Sequence, residues 1–148
     1  MTDLQRCLLD VLRQFVCFCE SHQLRYYLIA GTLIGCIRHR GFIPWDDDID
    51  VGMPRADFDR LFSLRSSLPQ GYSLVCHQNT PDWNFNFFQL VLDNSELIIR
   101  MNEVPRKTGV WIDVFPIDGL PQNRLKRWIH LKRVLIHRYL IQIANVTK

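Results

Sequence analysis

Asp46, Asp47, Asp48 and Asp50 fall within five consecutive positions, preceded by Ile43-Pro44-Trp45 and followed by Val51-Gly52-Met53. In a β-strand, residues i and i+2 project to the same face, so Asp48 and Asp50 set two carboxylates about 6.6 Å apart along one side. Ile49 and Val51 then face the other side. Neighbouring carboxylates raise each other's pKa unless a cation lies between them. Mg²⁺ or Mn²⁺ suits oxygen ligands of this kind and keeps positions open for water and substrate phosphates. Acid runs are often only solvated loops. Here the run is embedded in apolar sequence, where unpaired charge is costly, and the metal reading is preferred.

A third acid fits the same chemistry. Asp113 lies between Ile112 and Val114 in the run Val110–Asp118, which otherwise reads as a buried strand. A lone acid there needs a partner, and a strand placed beside the Asp48–Asp50 strand would bring three carboxylates to one metal cluster. Asp118, just before Gly119, reads instead as a turn residue. Upstream, the apolar Arg25–Ala30 run gives way to Gly31-Thr32 and then to a short helix through about His39. A strand, a glycine turn and a helix N-terminus seat a phosphate on free backbone N–H groups. A glycine there also serves plain steric needs, and the turn gains weight from the aspartates that follow.

Other metal and nucleotide motifs fail on spacing. Asp46, Asp48 and Asp50 occupy the first three ligand positions of an EF-hand loop, but its sixth position is Val51 rather than Gly and its twelfth is Asp57 rather than Glu. Gly31-Thr-Leu-Ile-Gly35 lacks the Gly-Lys-Ser/Thr of a Walker A loop, and no Gly-x-Ser-x-Gly elbow occurs. Cys17 and Cys19 are too close for a zinc site, and no nearby pair completes one. His130 and His137 stand about 10.5 Å apart along a helix, too far for one zinc.

The elements that must position these acids follow from periodicity. Leu4, Leu8, Val11, Leu12, Phe15, Phe18 and Cys19 recur at helical spacing over Asp3–His22, with Thr2 or Asp3 as N-cap. Arg25–Ala30 and Asp48–Met53 read as strands, and Pro54 opens a helix through about Leu68. Tyr72–His77 and Phe85–Leu92 read as an antiparallel hairpin. Asp93-Asn-Ser95 is a turn into Glu96–Arg100, and Asn102–Gly109 is a loop whose Arg106 and Lys107 could touch phosphate. The last helix, Pro121 to about Ala144, turns Leu125, Trp128, Leu131, Leu135 and Tyr139 inward.

The chain has 148 residues, 47% of them hydrophobic, enough for one compact domain over 1–148. Its five cysteines, odd in number and without a preceding secretory signal, fit reduced thiols and a cytoplasmic setting. The net charge of +3 is unevenly spread: no acid follows Gly119, while Arg124, Lys126, Arg127, Lys132, Arg133, Arg138 and Lys148 are basic. A solvated basic face is the plain reading, and peripheral contact with an anionic membrane at its inner face is the alternative. No nucleic-acid partner is expected of such a domain; a basic adaptor on membrane or nucleic acid, resting on the final helix, is the rival reading, and steep salt dependence without any need for divalent metal would favour it.

With these residues in place, the chain resembles the LicD family, bacterial phosphocholine transferases related to the fukutin proteins. Gly31-Thr-Leu-Ile-Gly-Cys-Ile-Arg-His39, Gly41-Phe-Ile-Pro-Trp-Asp-Asp-Asp-Ile-Asp-Val-Gly-Met53 and Trp111-Ile-Asp-Val-Phe-Pro-Ile-Asp118 carry the resemblance, which covers most of the chain. It implies an α/β fold of the nucleotidyltransferase type, a mixed sheet flanked by helices, with Gly31-Thr32, Asp48/Asp50 and Asp113 in that fold's functional places. It also implies metal-dependent transfer of phosphocholine or a similar phospho-alcohol from a CDP-choline-like donor to a hydroxyl of a cell-surface glycan. Two cations about 3.5–4 Å apart neutralise charge in such a transfer. Asp48 and Asp50 are expected to bridge them, and Asp113 to complete one and help activate the acceptor hydroxyl. Gly31 and Thr32 are expected to bind the diphosphate, with Arg38 as a positive clamp. Family members usually continue well beyond the third acid, and that portion is expected to help form the acceptor site. A non-catalytic module of the same fold, binding a nucleotide or partner, is the alternative expectation.

Overall fold

The computed structural model describes residues 1–148 apart from 78, 81–84, 102–103 and 147–148, and the side chains of these except 99–101, 104–107, 141 and 144–146. Two compact units result, Met1–Ile117 and Asp118–Lys148.

The first unit is a five-stranded mixed sheet with helices. In chain order it comprises α1 (Asp3–Ser21), β1 (Tyr27–Leu28), α2 (Ala30–His39), β2 (Asp50–Pro54), α3 (Arg55–Ser63), a 3₁₀ turn (Arg65–Ser67), β3 (Tyr72–Val75), β4 (Phe88–Met101) and β5 (Val104–Ile117). The sheet order is β1-β2-β5-β4-β3. Only β2 and β5 run parallel among these pairs, with Asp50 opposite Asp113 and Val51 opposite Val114. The expected mixed α/β fold is therefore the one observed.

The register gives the sheet two distinct faces. Val51, Met53, Leu74, Phe88, Leu90, Val110, Ile112 and Val114 are buried together with Leu8, Val11, Phe15 and Phe18 of α1 and Phe58 and Leu61 of α3. Strand alternation turns Asp50, Trp111, Asp113 and Phe115 to the opposite face. The core holds the sheet by one side, leaving the other for chemistry. Thr2 closes a capping box with Gln5 at the start of α1. On α3, the buried Asp57 pairs with Arg25 Nε at 2.6 Å and with Arg60 at 3.4 Å, tying α3 to the segment before β1.

Several sequence expectations change. The Arg25–Ala30 strand shrinks to Tyr27–Leu28, and Tyr27 is exposed. Asp48 precedes β2, which begins at Asp50. Pro54 caps α3 from outside, and the helix yields to the 3₁₀ turn before Leu68. Asp93-Asn-Ser95 does not turn the chain: β4 runs through it, with a register shift between Leu92 and Leu97. Ser95 explains why. Its Oγ donates to the Leu92 carbonyl at 2.6 Å and accepts from the Val110 N–H at 2.7 Å, so a side chain replaces ladder partners across a bulge. The Asn102–Gly109 loop is likewise replaced by β5, which starts at Val104. Residues 102–103, and the side chains of Arg106 and Lys107, lie outside what is described.

The second unit is one helix, α4 (Arg124–Val146). The Asn123 side chain accepts from the Lys126 N–H at 3.1 Å, capping its first turn. Leu125, Trp128, Leu131, Leu135 and Tyr139, expected to face inward, are exposed. Among the described residues no helix is long and apolar enough to cross a membrane.

Candidate active site

Three backbone contacts place Asp50. Its N–H donates to Thr32 Oγ1 at 2.8 Å, its carbonyl accepts from the Ile29 N–H at 3.2 Å, and the neighbouring Ile49 carbonyl accepts from the Asp113 N–H at 2.9 Å. The first turn of α2 and strand β5 thus fix the start of β2 from both sides. Thr32, expected to bind substrate, holds the strand through its hydroxyl. The start of α2 has no side-chain cap, and Ala30 there adopts a left-handed φ of 48°.

Gly31, the other expected phosphate contact, lies directly against Asp46. A Cβ at Gly31 would come within 2.8 Å of Asp46 Oδ2. The loop carrying Asp46 is itself pinned, since its carbonyl accepts from Nε2 of the buried Gln5 at 2.8 Å and its N–H donates to the Ile43 carbonyl at 2.9 Å. Asp46, two residues before Asp48, is a further site acid that strand alternation over Asp48–Asp50 does not single out. Gly35 is the second close approach: a Cβ there would meet the Gly41 carbonyl oxygen at 2.5 Å and the Ile43 nitrogen at 2.9 Å. Both obstacles are backbone, so Gly35→Ala must push α2 away from the segment leading to the acids. A loss of about 2 kcal/mol is expected, measurable as a lower denaturation midpoint. Gly41→Ala, with open space around it, should leave the midpoint unchanged or nearly so.

The carboxylates act on one another. Partial burial, then Asp50, Asp46 with its hydrogen bond, and Asp47 push Asp48 up to about 6, although it keeps an exposed edge. Burial, Asp113 and Asp46 raise Asp50. Burial raises Asp113, opposed by hydrogen bonds from Gln89 and Trp111, with Asp48 adding a further upward push. Asp48, Asp50 and Asp113 are thus brought into one electrostatic cluster, as the strand pairing required. Arg38 is not drawn in: it lies on the last turn of α2, exposed, about 10.5 Å along the axis from Gly31. No described residue holds it by a hydrogen bond or ion pair.

The coupling has a testable sign. A carboxyl whose folded pKa lies above its unfolded value binds more protons in the folded state between the two values, so it destabilises the fold as pH rises through them. For Asp48 that window runs from about 4 to about 6. In EDTA, Asp48→Asn should therefore raise the melting temperature at pH 7, with the gain shrinking towards pH 5. A gain that is independent of pH would show that the Asp48 charge is not the cause.

Hard oxygen donors crowded at this spacing suit a divalent cation, which would relieve the repulsion. Among the described residues, no three ligating side chains already stand gathered as a formed metal site. Two donors to Asp113 were missed from sequence. Gln89 is a polar residue set between Phe87-Phe88 and Leu90-Val91-Leu92, and Trp111 stands two positions before Asp113 on the same face; those placements are the available signals.

A family model described as LicD/FKTN/FKRP, nucleotidyltransferase domain, matches residues 23–136. The lipopolysaccharide cholinephosphotransferase LicD of Haemophilus influenzae is 34% identical over 116 residues, 78% of this chain and 43% of that protein. The ribitol 5-phosphate transferase FKRP of mouse and of human is 37% identical over 62 residues, 42% of this chain and 13% and 12% of those proteins. The chain spans less than half the length of these curated relatives. With the family model covering most of it, including Asp46, Asp48, Asp50 and Asp113, the chain belongs to the LicD/FKTN/FKRP family of nucleotidyltransferase domains.

Proposed function

We propose that this chain forms the catalytic core of a transferase that moves a phospho-alcohol, of the phosphocholine type, from a CDP-activated donor to a hydroxyl of a cell-surface glycan. The observation carrying this reading is the in-register placement of Asp50 and Asp113 on adjacent parallel strands, with Asp48 coupled to both. The names of the relatives support it, since one transfers cholinephosphate and the others ribitol 5-phosphate. Asp48, Asp50 and Asp113 would hold Mg²⁺ or Mn²⁺. Such ions neutralise charge on phosphoryl oxygens in the transition state. The start of α2, around Gly31 and Thr32, lies beside the acids and offers backbone N–H groups to the diphosphate, with Arg38 available for its outer part. The acceptor oxygen bonds to phosphorus as the bond to CMP breaks, and the hydroxyl proton passes to a carboxylate of the cluster. The acid-free segment after Gly119 suits an anionic membrane surface, which would bring the domain to the inner face of a membrane.

Calorimetric titration of CDP-choline, in Mg²⁺ or Mn²⁺ and then in EDTA, tests the nucleotide site. Binding that needs metal and is lost in Asp48→Asn/Asp50→Asn is the expected result. A folded protein that binds no CDP-choline in any condition would favour the non-catalytic module. Retention on vesicles rich in phosphatidylserine, lost at high salt, is expected for the basic helix.

A further inference from the structure

Asp113 is held in a way that neither Asp48 nor Asp50 is. Gln89 Nε2 donates to Asp113 Oδ1 at 2.8 Å, and Trp111 Nε1 donates to the same oxygen at 3.0 Å. Gln89 stands opposite Asp113 in the β4–β5 register, while Asp50 stands opposite it on β2. One neighbouring strand therefore supplies a donor and the other a like charge. No described residue donates to Oδ2.

We propose that Gln89 and Trp111 are positioning residues that lock the Asp113 carboxylate, so that Oδ2 is presented to a divalent cation shared with Asp50. This rests on the cation reading above. The terminal torsion of an aspartate is soft, and repulsion from Asp50 would otherwise turn the group away. Two N–H donors converging on one oxygen remove that freedom and leave the second oxygen as the ligand. The sheet itself does not need these groups. The core side of β4 is filled by Phe88 and Leu90, and the core side of β5 by Val110 and Ile112. An apolar residue at 89 or an indole without its N–H would serve packing equally well. Donors that orient a ligating group typically change metal affinity by about 10–100-fold when removed.

Mn²⁺ alone is the probe, followed by the paramagnetic resonance of free Mn²⁺ with the full chain. Gln89→Leu and Trp111→Phe should each weaken Mn²⁺ binding by about tenfold or more, with melting temperatures in EDTA close to wild type. In an Asp113→Asn background, Gln89→Leu should cause no further loss, because its effect passes through the carboxylate. Trp111→Phe keeps an aromatic ring while removing the N–H, and decides the matter should Gln89→Leu fold poorly. Wild-type affinity in both single variants overturns the positioning role while leaving the cation site standing. Failure of the wild-type protein to bind Mn²⁺ removes the cation site and the positioning role together.

Discussion

Asp50→Asn is expected to lower phospho-alcohol transfer on the order of 10³-fold or more while leaving the protein folded. Asparagine keeps the shape of the side chain but removes the charge that faces Asp113 across the parallel pair. A cation at such a site supplies several kcal/mol of charge stabilisation in the transition state, and each 1.4 kcal/mol is about tenfold in rate. Stability should move the other way. Burial, Asp113 and Asp46 all oppose ionisation of Asp50, so the neutral amide relieves repulsion in the metal-free fold. Its backbone bonds to Thr32 and Ile29 do not involve the carboxylate and remain. The signature is an inactive protein melting in EDTA at or above the wild-type temperature. Measurement of CMP release with CDP-choline and acceptor, beside a melting curve, checks both halves; an active Asp50→Asn protein would sink the assignment. A protein that is inactive because it is unfolded would instead point to a structural role for the charge.

The parts of this site legible in sequence were those with a period. Asp50 alternates with Ile49 and Val51, and Asp113 interrupts an apolar strand, so the face these two share follows from strand geometry, whereas Asp48 lies just before β2 and outside that alternation. Their juxtaposition required the parallel β2–β5 pairing, which sequence could pose only as a condition. Asp46 was visible in the acid run, but its position against Gly31 depends on Gln5, forty-one residues away, gripping its carbonyl. No local pattern encodes that. The Asp93–Ser95 turn failed for a related reason: turn residues also make bulges, and which one forms depends on whether β5 continues alongside. The helix α4 is legible in its period, but a period marks a stripe without naming the surface that covers it.

The site depends on the opposite face of the sheet, and Phe58→Ala should show how much. Phe58 of α3 is 3% exposed and stacks on Phe88 of β4, with ring centroids 3.8 Å apart at 12°. Phe62 adds a second, tilted contact to Phe88 at 5.8 Å. Phe88 in turn lies opposite Val114, one residue from Asp113. Removing a buried phenylalanine costs about 3–5 kcal/mol, through lost transfer energy and the cavity left behind, and the aromatic pair adds up to about 1 kcal/mol. A loss of about 4 kcal/mol is a large share of the 5–15 kcal/mol typical of a folded domain. At about 4 °C per kcal/mol, the melting temperature should fall by roughly 15 °C. Phe58→Leu keeps most of the volume and should lose less than half as much. Well below the lowered transition, Phe58→Ala should still bind Mn²⁺ with near wild-type affinity, because Phe58 packs on the core face of the sheet while Asp50, Asp113 and Gln89 alternate to the other. That pairing of results, low stability with an intact site, is the reverse of the one expected for Asp50→Asn. Weakened Mn²⁺ binding in fully folded Phe58→Ala protein would mean that core packing reaches through β5 to set the carboxylate geometry.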